Sequence, residues 1–375
     1  MAMRRRGTFA RLGHEGRGKI KVKPSWLEFL VVPFLFELFS SVTFVYGIVL
    51  VMNLPILQVS AEYHHRVWGG QRLRVSETDV PYGEAWIIHE NNRVAGGPFA
   101  GQTLNQVTLE AGQDLLGVNA VRQTGMRFPL LIKILDCADW LSVQVHPNDV
   151  QAVQLEGPGH AGKTEAWHIL EAQAGAILIA GVKPGTSPEA LAAAIRDGSV
   201  LEVALKTTAG AGDSVMMYAG TMHALGPGFL LYEVQQTSDI TYRVFDWDRP
   251  ASAGRALHIE QSVTVTRHDS SAAVTHLEPL QNAVAELVEC PYFLLEALAA
   301  DGLNLFADTK GESFHAITVT EGEAEIVAGD ERIKLGRFES VIVPASFGKY
   351  EFRPVTACKA LRASVPAAQC SSVPA

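Results

Sequence analysis

Four side chains of this sequence have the chemistry to hold a divalent metal: Gln144 and His146 in LSVQVHPND, Glu165 in GKTEAWHIL and His223 in GTMHAL. Nitrogen and oxygen donors with a single carboxylate suit a catalytic site, because they leave a coordination position free for water or substrate. Gln144 and His146 lie two residues apart in a run where Val143 and Val145 alternate with them, so on a strand both project from one face. That is how a barrel presents ligands to its own interior. Taken singly, each residue has a blander reading. His146 precedes Pro147-Asn148-Asp149, a turn-forming cluster, and an isolated histidine there reads as a turn residue. Lys163 and Glu165 read as a surface ion pair worth under about 1 kcal/mol.

The elements that must position such ligands are short strands. EAWIIHE, PLLIKILD, LSVQVHP, EAWHILEA, GAILIAGV, SVMMYAG, FLLYEVQQ and TYRVFDW are apolar runs rich in β-branched or aromatic residues. Most are bounded by Gly, Pro, Asn or Asp, a punctuation that predicts a sandwich or jelly-roll barrel. One helix is well marked: Ser187 as N-cap, Pro188 at the first position, an apolar stripe of Leu191, Ala194 and Ile195, and Gly198 as the stop. A second helical segment is expected over Thr103 to Leu116. Around 268–290 the pattern loosens into an interdomain connection, after which FHAITVTEG, EAEIVAG, ERIKLG, SVIVPAS and YEFRP predict another small β unit. The expectation is an all-β chain with minor helices, a first domain over 52–275 and a second over 285–365. Residues 367–375 are mostly small and are expected to fray.

A chain of 375 residues has room for two such domains. Its net charge of −9 gives no electrostatic reason to bind nucleic acid. The four cysteines, at 137, 290, 358 and 370, form no CxxC pair, which argues against a zinc knuckle or a redox motif and fits a reducing, cytoplasmic setting. The exception to this plain composition is the N-terminal segment 1–51. It carries a basic run over residues 4–23 and then an apolar stretch from Trp26 to Met52, long enough to span a bilayer but interrupted by Glu28, Pro33 and Glu37. An upstream start assigned too early, with Met52 as initiator, is the reading favoured over a membrane anchor or a signal peptide ending near Val59-Ser60-Ala61. Segment 1–51 is therefore expected to stand outside the fold.

Taken together, LSVQVHPND, GKTEAWHIL, GTMHALGPGFLLYEVQQTSDITYRVFDWDR, the WGG of positions 68–70 and GEAW resemble type I mannose-6-phosphate isomerase in its shorter bacterial form. The resemblance runs in order from about Leu54 to about residue 360. It implies two cupin jelly-roll barrels, the first metal-bearing and the second degenerate, with Gln144, His146, Glu165 and His223 holding one divalent ion, zinc. The family motif GDxxxxPxGxxH is met at Gly212, Asp213, Gly220 and His223, but Tyr218 stands where proline is usual. His168, three residues past Glu165, has the opposite strand parity and is expected to face away from the site. The remaining histidines have no ligand spacing.

The resemblance also implies the chemistry: reversible conversion of mannose 6-phosphate and fructose 6-phosphate. Arg243 would be the essential arginine, and Glu233, ten residues earlier, the acid/base near the C1–C2 bond. Interconverting an aldose and a ketose moves a proton between neighbouring carbons through an enediolate, which calls for a base and for positive charge near the developing oxyanion. A metal-held water is the alternative proton carrier. No P-loop serves the phosphate, so the resemblance assigns the substrate's polar contacts to Lys133, Ser142 and Lys163. Alone, Lys133 reads as a strand-edge lysine, and Trp68 and Trp86 as core. The C-terminal unit offers His315 but puts Phe347 and Lys349 where another ligand would be sought, so no metal is expected there and its role reads as covering the first barrel. Two competing readings are a non-catalytic sugar-phosphate-binding cupin and an iron-dependent oxygenase, which also uses two histidines and a carboxylate.

Overall fold

The alternating runs fold as antiparallel strands. The computed structural model describes the backbone of residues 19–22, 27–38 and 41–52, and residues 54–250 and 255–367 in full. The chain divides into two compact units, Met1–Leu54 and Pro55–Ala375. In the first, Lys19–Val22, Leu27–Leu38 and Ser41–Met52 form a three-stranded antiparallel sheet, with Leu38 paired to Ser41. The described parts of the apolar stretch that could span a bilayer as a helix are thus paired strands. Most of the preceding basic run lies outside the described residues. Among the described residues no helix is long and apolar enough to cross a membrane.

The second unit holds four sheets in two pairs. The first pair joins a seven-stranded sheet, in the order Val274–His276, Asp213–Met217, Glu165–Ala172, Phe229–Gln236, Leu130–Asp136, Tyr82–Ile88 and Glu62–Gly70, to a five-stranded one, in the order Ala204–Thr208, Ile177–Val182, His223–Leu225, Val143–Val145 and Tyr242–Phe245. Between them lies an apolar interior that includes Trp68, Leu135, Trp167, Ile169, Leu178, Val215, Leu225 and Leu231. The outer face of the five-stranded sheet, with Val143, Val145 and Ile179, packs against helices Pro188–Asp197 and Ile259–Val265. The second pair combines six strands around Leu294–Ala300, Cys358–Ser364 and His315–Glu321 with four around Lys349–Pro354 and Ala324–Ala328. Neither pair closes, so the expected barrels are open two-sheet sandwiches. One strand also departs from the expected division: Leu57–Val59 pairs with Ser340–Val343 in the C-terminal sheet rather than with the first pair.

Local signals decide the helix ends. Ser187 accepts from Ala190 N and Gly198 adopts a left-handed φ of 83°, as the capping pattern predicts. The segment after Thr103 is two helices, not one. Thr103 and Gln106 form a capping box on Leu104–Ala111, and Gly112, with φ 53°, breaks the chain before Gln113–Thr124. Inside the second helix Gly117 lets the backbone lie against the C-terminal unit, where an added Cβ would collide with Glu312 O. There Phe314 N donates to Leu116 O and Asn119 N to Glu312 O, and the Phe128 and Phe314 rings stand 4.8 Å apart. The two sandwiches are joined by hydrogen bonds and packed aromatics, so the second is more than an edge cover.

Candidate metal centre and its polar pocket

Each expected ligand owes its place to strand register. In the five-stranded sheet His223 is paired with Gln144 and Gln144 with Arg243, so directly opposed residues put all three side chains on one face. In the seven-stranded sheet a row runs Trp86, Lys133, Glu233, Trp167, and Glu165 lies two residues from Trp167 on the same face. His146 follows directly on the strand Val143–Val145, where the turn cluster begins. Asn148 then caps helix Asp149–Glu156 in a capping box with Gln151.

His146, Glu165 and His223 are buried, with one donor atom from each within 4.8 Å of the others, and they are the only such group of three among the described residues. His146 Nε2 lies 3.5 Å from Glu165 Oε2, and His223 Nε2 lies 3.2 Å from Glu165 Oε1. Both imidazoles are oriented from behind: His146 Nδ1 bonds the Ile240 carbonyl and His223 Nδ1 the Thr221 carbonyl, each at 2.8 Å. A carbonyl can only accept, so both protons sit on Nδ1 and both Nε2 lone pairs face the carboxylate. Among the described residues, apart from the Lys163 ammonium at 3.0 Å from Glu165 Oε2, no donor satisfies the carboxylate oxygens, and His146 Nε2 is likewise without one. Gln144 turns its amide toward His223 Nε2 at 3.3 Å. Lone pairs converging on one point, with carbonyls fixing the tautomers, are what a cation needs and what an apolar core would reject. The protonation states agree. Burial, reinforced by Lys163, drives the His146 imidazole well below its ordinary pKa, so it is neutral. Burial alone would raise the Glu165 carboxyl, but the Lys163 ammonium beside it holds it well below the usual carboxylate range. The donor set therefore fits a divalent metal.

Beside this group lies a second polar row. Lys133 Nζ meets Glu233 Oε1 at 3.0 Å with both side chains 5% exposed, so this lysine is buried mid-sheet and not at an edge. Burial would lower the ammonium's pKa, yet Glu233 and Glu84 raise it above the ordinary lysine value. Lys133 also stands 5.4 Å from the Trp86 ring, whose Nε1 donates to Glu84 Oε2 at 2.7 Å. Arg66 grips Glu84 with two bonds of 2.9 Å. Burial pushes Glu84 up, but Lys133 and Arg66 outweigh it and bring its pKa to about 2. Trp68 is core, whereas Trp86 is half-buried beside Lys133.

Trp167 joins the two rows. Its Nε1 donates to Glu233 Oε2 at 3.0 Å, and its ring meets the His223 ring edge-on at 5.4 Å. Ligand spacing does not single out Trp167 or Glu84; the signal for both is parity, two residues from Glu165 and from Trp86 on the same faces. Lys163 is buried, and Ser142 is buried immediately before the Gln144 strand. Arg243, paired with Gln144 on the far strand, donates through Nη1 to Ala256 O. His168 turns the other way, to Ser214 Oγ, as its parity requires. Tyr218, at the departure from the family motif, is exposed, and its carbonyl accepts from Thr221 N in the turn that leads into His223.

Comparison with known proteins identifies the family. Residues 56–167 match the model of the phosphomannose isomerase type I catalytic domain. The chain is 36% identical over 310 residues to mannose-6-phosphate isomerase of Streptococcus mutans, covering 79% of this chain and 94% of that protein. It is 33% identical over 308 residues to mannose-6-phosphate isomerase ManA of Bacillus subtilis, covering 79% and 95%. The crystal structure of the mannose 6-phosphate isomerase from Bacillus subtilis superposes with a TM-score of 0.72 at 28% identity, over 82% of this chain and 99% of that one. With two-sheet sandwiches, a His–Glu–His group and relatives matched over almost their whole length, the chain belongs to the type I mannose-6-phosphate isomerases.

Proposed function

We propose that this chain interconverts mannose 6-phosphate and fructose 6-phosphate at the polar residues between its first two sheets, with a zinc ion held by Gln144, His146, Glu165 and His223. When bound, the ion supplies positive charge that polarises the sugar's oxygens. The proton is moved by Glu233, which takes it from one of C1 and C2 and returns it to the other through an enediolate. Trp167 orients the Glu233 carboxylate, and Lys133 balances its charge out of water. Arg243 faces the developing negative charge from the opposite sheet. Lys133, Lys163 and Ser142 provide the cationic and hydroxyl contacts for the phosphorylated substrate, lysine serving as a point charge. The observation that carries this reading is the buried Lys133–Glu233 pair, joined by Trp167 to a converging set of metal donors.

The test is a coupled assay of mannose 6-phosphate conversion before and after chelation. Activity should vanish with the metal and return when Zn2+ is restored. Full activity after exhaustive chelation, or no conversion in the zinc-loaded protein, overturns the reading. Oxygen uptake with iron and a 2-oxoacid would favour the oxygenase alternative instead.

A further inference from the structure

The second sandwich has a polar end to its interior that nothing in the isomerase chemistry uses. Most of that interior is apolar, with Leu298, Ala300, Ile317, Val319, Tyr350, Phe352, Cys358 and Ala360 packed together. Continuing the same strand faces by two residues brings Glu296, His315 and Arg362 to one end. Register agrees, because Arg362 is paired with both Glu296 and Ile317. Arg362 holds Glu296 with two bonds of 2.7 and 2.9 Å, and His315 Nδ1 bonds the Tyr350 hydroxyl at 2.7 Å. Replacing a buried ion pair with apolar groups is often neutral or stabilising, so polarity here is not required by the fold.

Glu296, His315 and Arg362 border a cavity of about 440 Å³, within the roughly 300–1,000 Å³ typical of small-molecule sites. Its free hydrogen-bonding capacity includes uncharged groups, while the charged Lys310 and Glu312 are exposed. Among the described residues, His315 Nε2, the Ser364 hydroxyl and Asn119 Oδ1 have no partner, while Asn119 Nδ2 is tied to Val365 O. His315 is neutral at physiological pH, because burial and Arg362 lower its pKa to about 3, so its ring gives one donor and one acceptor. The lining charges include Glu296, Asp308 and Glu312 against Lys310 and Arg362, and Arg362 is already neutralised by Glu296. Such a field does not attract an anion. A sugar phosphate is therefore the wrong ligand, and a hydroxyl-rich neutral one matches the mixed donors and acceptors.

We propose that this cavity is a second binding site, for a small neutral polyhydroxylated molecule of monosaccharide size. Free mannose serves as the probe, titrated by ligand-observed NMR against the zinc-loaded full chain with fructose 6-phosphate saturating the first site. Saturable mannose binding should persist under that block. It should weaken about tenfold or more in both Ser364→Val and His315→Phe, with isomerase kcat unchanged in each. If His315→Phe fails to fold, Ser364→Val alone decides, since it swaps one hydroxyl for a methyl group. Absence of saturable binding up to about 100 mM overturns the proposal, as does displacement by the sugar phosphate or equal binding in the folded variants. Tighter binding of inorganic phosphate than of mannose at this site would overturn the assignment to a neutral ligand.

Discussion

Gly162 sets how closely the two ligand-bearing loops approach, and Gly162→Ala is the sharpest probe of the metal centre. A Cβ built there would meet Asn148 C and Asp149 N at 2.6 Å and Asn148 Cα at 2.9 Å. All three are backbone atoms at the start of a capped helix, so no side chain can swing aside. The same contact is stitched by hydrogen bonds: Gly162 N donates to Asp149 Oδ1 at 2.8 Å, Lys163 N to Pro147 O at 2.9 Å, and Gln236 Nε2 to Asp149 Oδ1 at 3.0 Å. One loop leads out of His146 and the other into Glu165. Relieving the clash must move them apart, where His146 Nε2 and Glu165 Oε2 now stand 3.5 Å from each other.

Overpacking of this kind costs about 1–3 kcal/mol. If all of it falls on the metal-binding geometry, zinc affinity drops by about 5- to 150-fold, at 1.4 kcal/mol for each factor of ten. The assay is zinc competition against a chromophoric chelator, with thermal unfolding of the metal-free protein as a parallel measure. Gly96→Ala is the control, because a Cβ there meets nothing within 4 Å and the backbone is extended, with φ −158°. The expected result is weaker zinc binding in Gly162→Ala and no change in the control. Unchanged zinc affinity and unchanged Tm in Gly162→Ala would refute the claim that this contact fixes the donor spacing.

Trp167→Phe keeps the ring beside His223 but removes the donor to Glu233; hydrogen bonds to charged groups are worth about 1.5–3 kcal/mol, so kcat should fall by about tenfold or more at unchanged zinc content, and unaltered turnover would exclude an orienting role. Zinc should raise Tm by mass action, by about 2.7 kcal/mol of stability when free metal is one hundred times Kd, and identical unfolding with and without chelator would count against a site that prefers the loaded state. His168 supplies an acid-stability prediction: burial is the main cause lowering its pKa to about 4, with Lys359 adding to it and Asp213 opposing. A depressed folded value means that the unfolded chain takes the proton first, so this stability is complete above pH 6.5 and is lost as pH falls from 6.5 toward 4. At pH 5 the loss is about 2 kcal/mol. Unfolding scans at pH 7.5 and 5 should therefore show a smaller acid-induced fall in His168→Asn than in the natural protein, and parallel falls would contradict the assignment.

What could be read from the chain depended on sequence distance. The Gln144–His146 parity and the outward turn of His168 are local consequences of a period of two, and the Ser187 cap and Gly198 stop are local too. Lys133 and Glu233 are one hundred positions apart, and only the register of adjacent strands brings them within 3.0 Å. Seen alone, either residue is cheapest in water, which is why an edge lysine and a surface Lys163–Glu165 pair were the natural expectations. Burial reverses this once each charge has its partner, because the paired state avoids the cost of either ion standing alone. The same holds in the second sandwich. Glu296, His315, Tyr350 and Arg362 share no motif, and a search for metal ligands passes over them. Their convergence depends on three strands continuing one interior face beyond the apolar core, to meet Tyr350 from the facing sheet. A unit read as a cover because it lacks ligands therefore has an interior whose end is polar, and a mannose titration with the first site blocked asks directly whether that polarity serves a ligand.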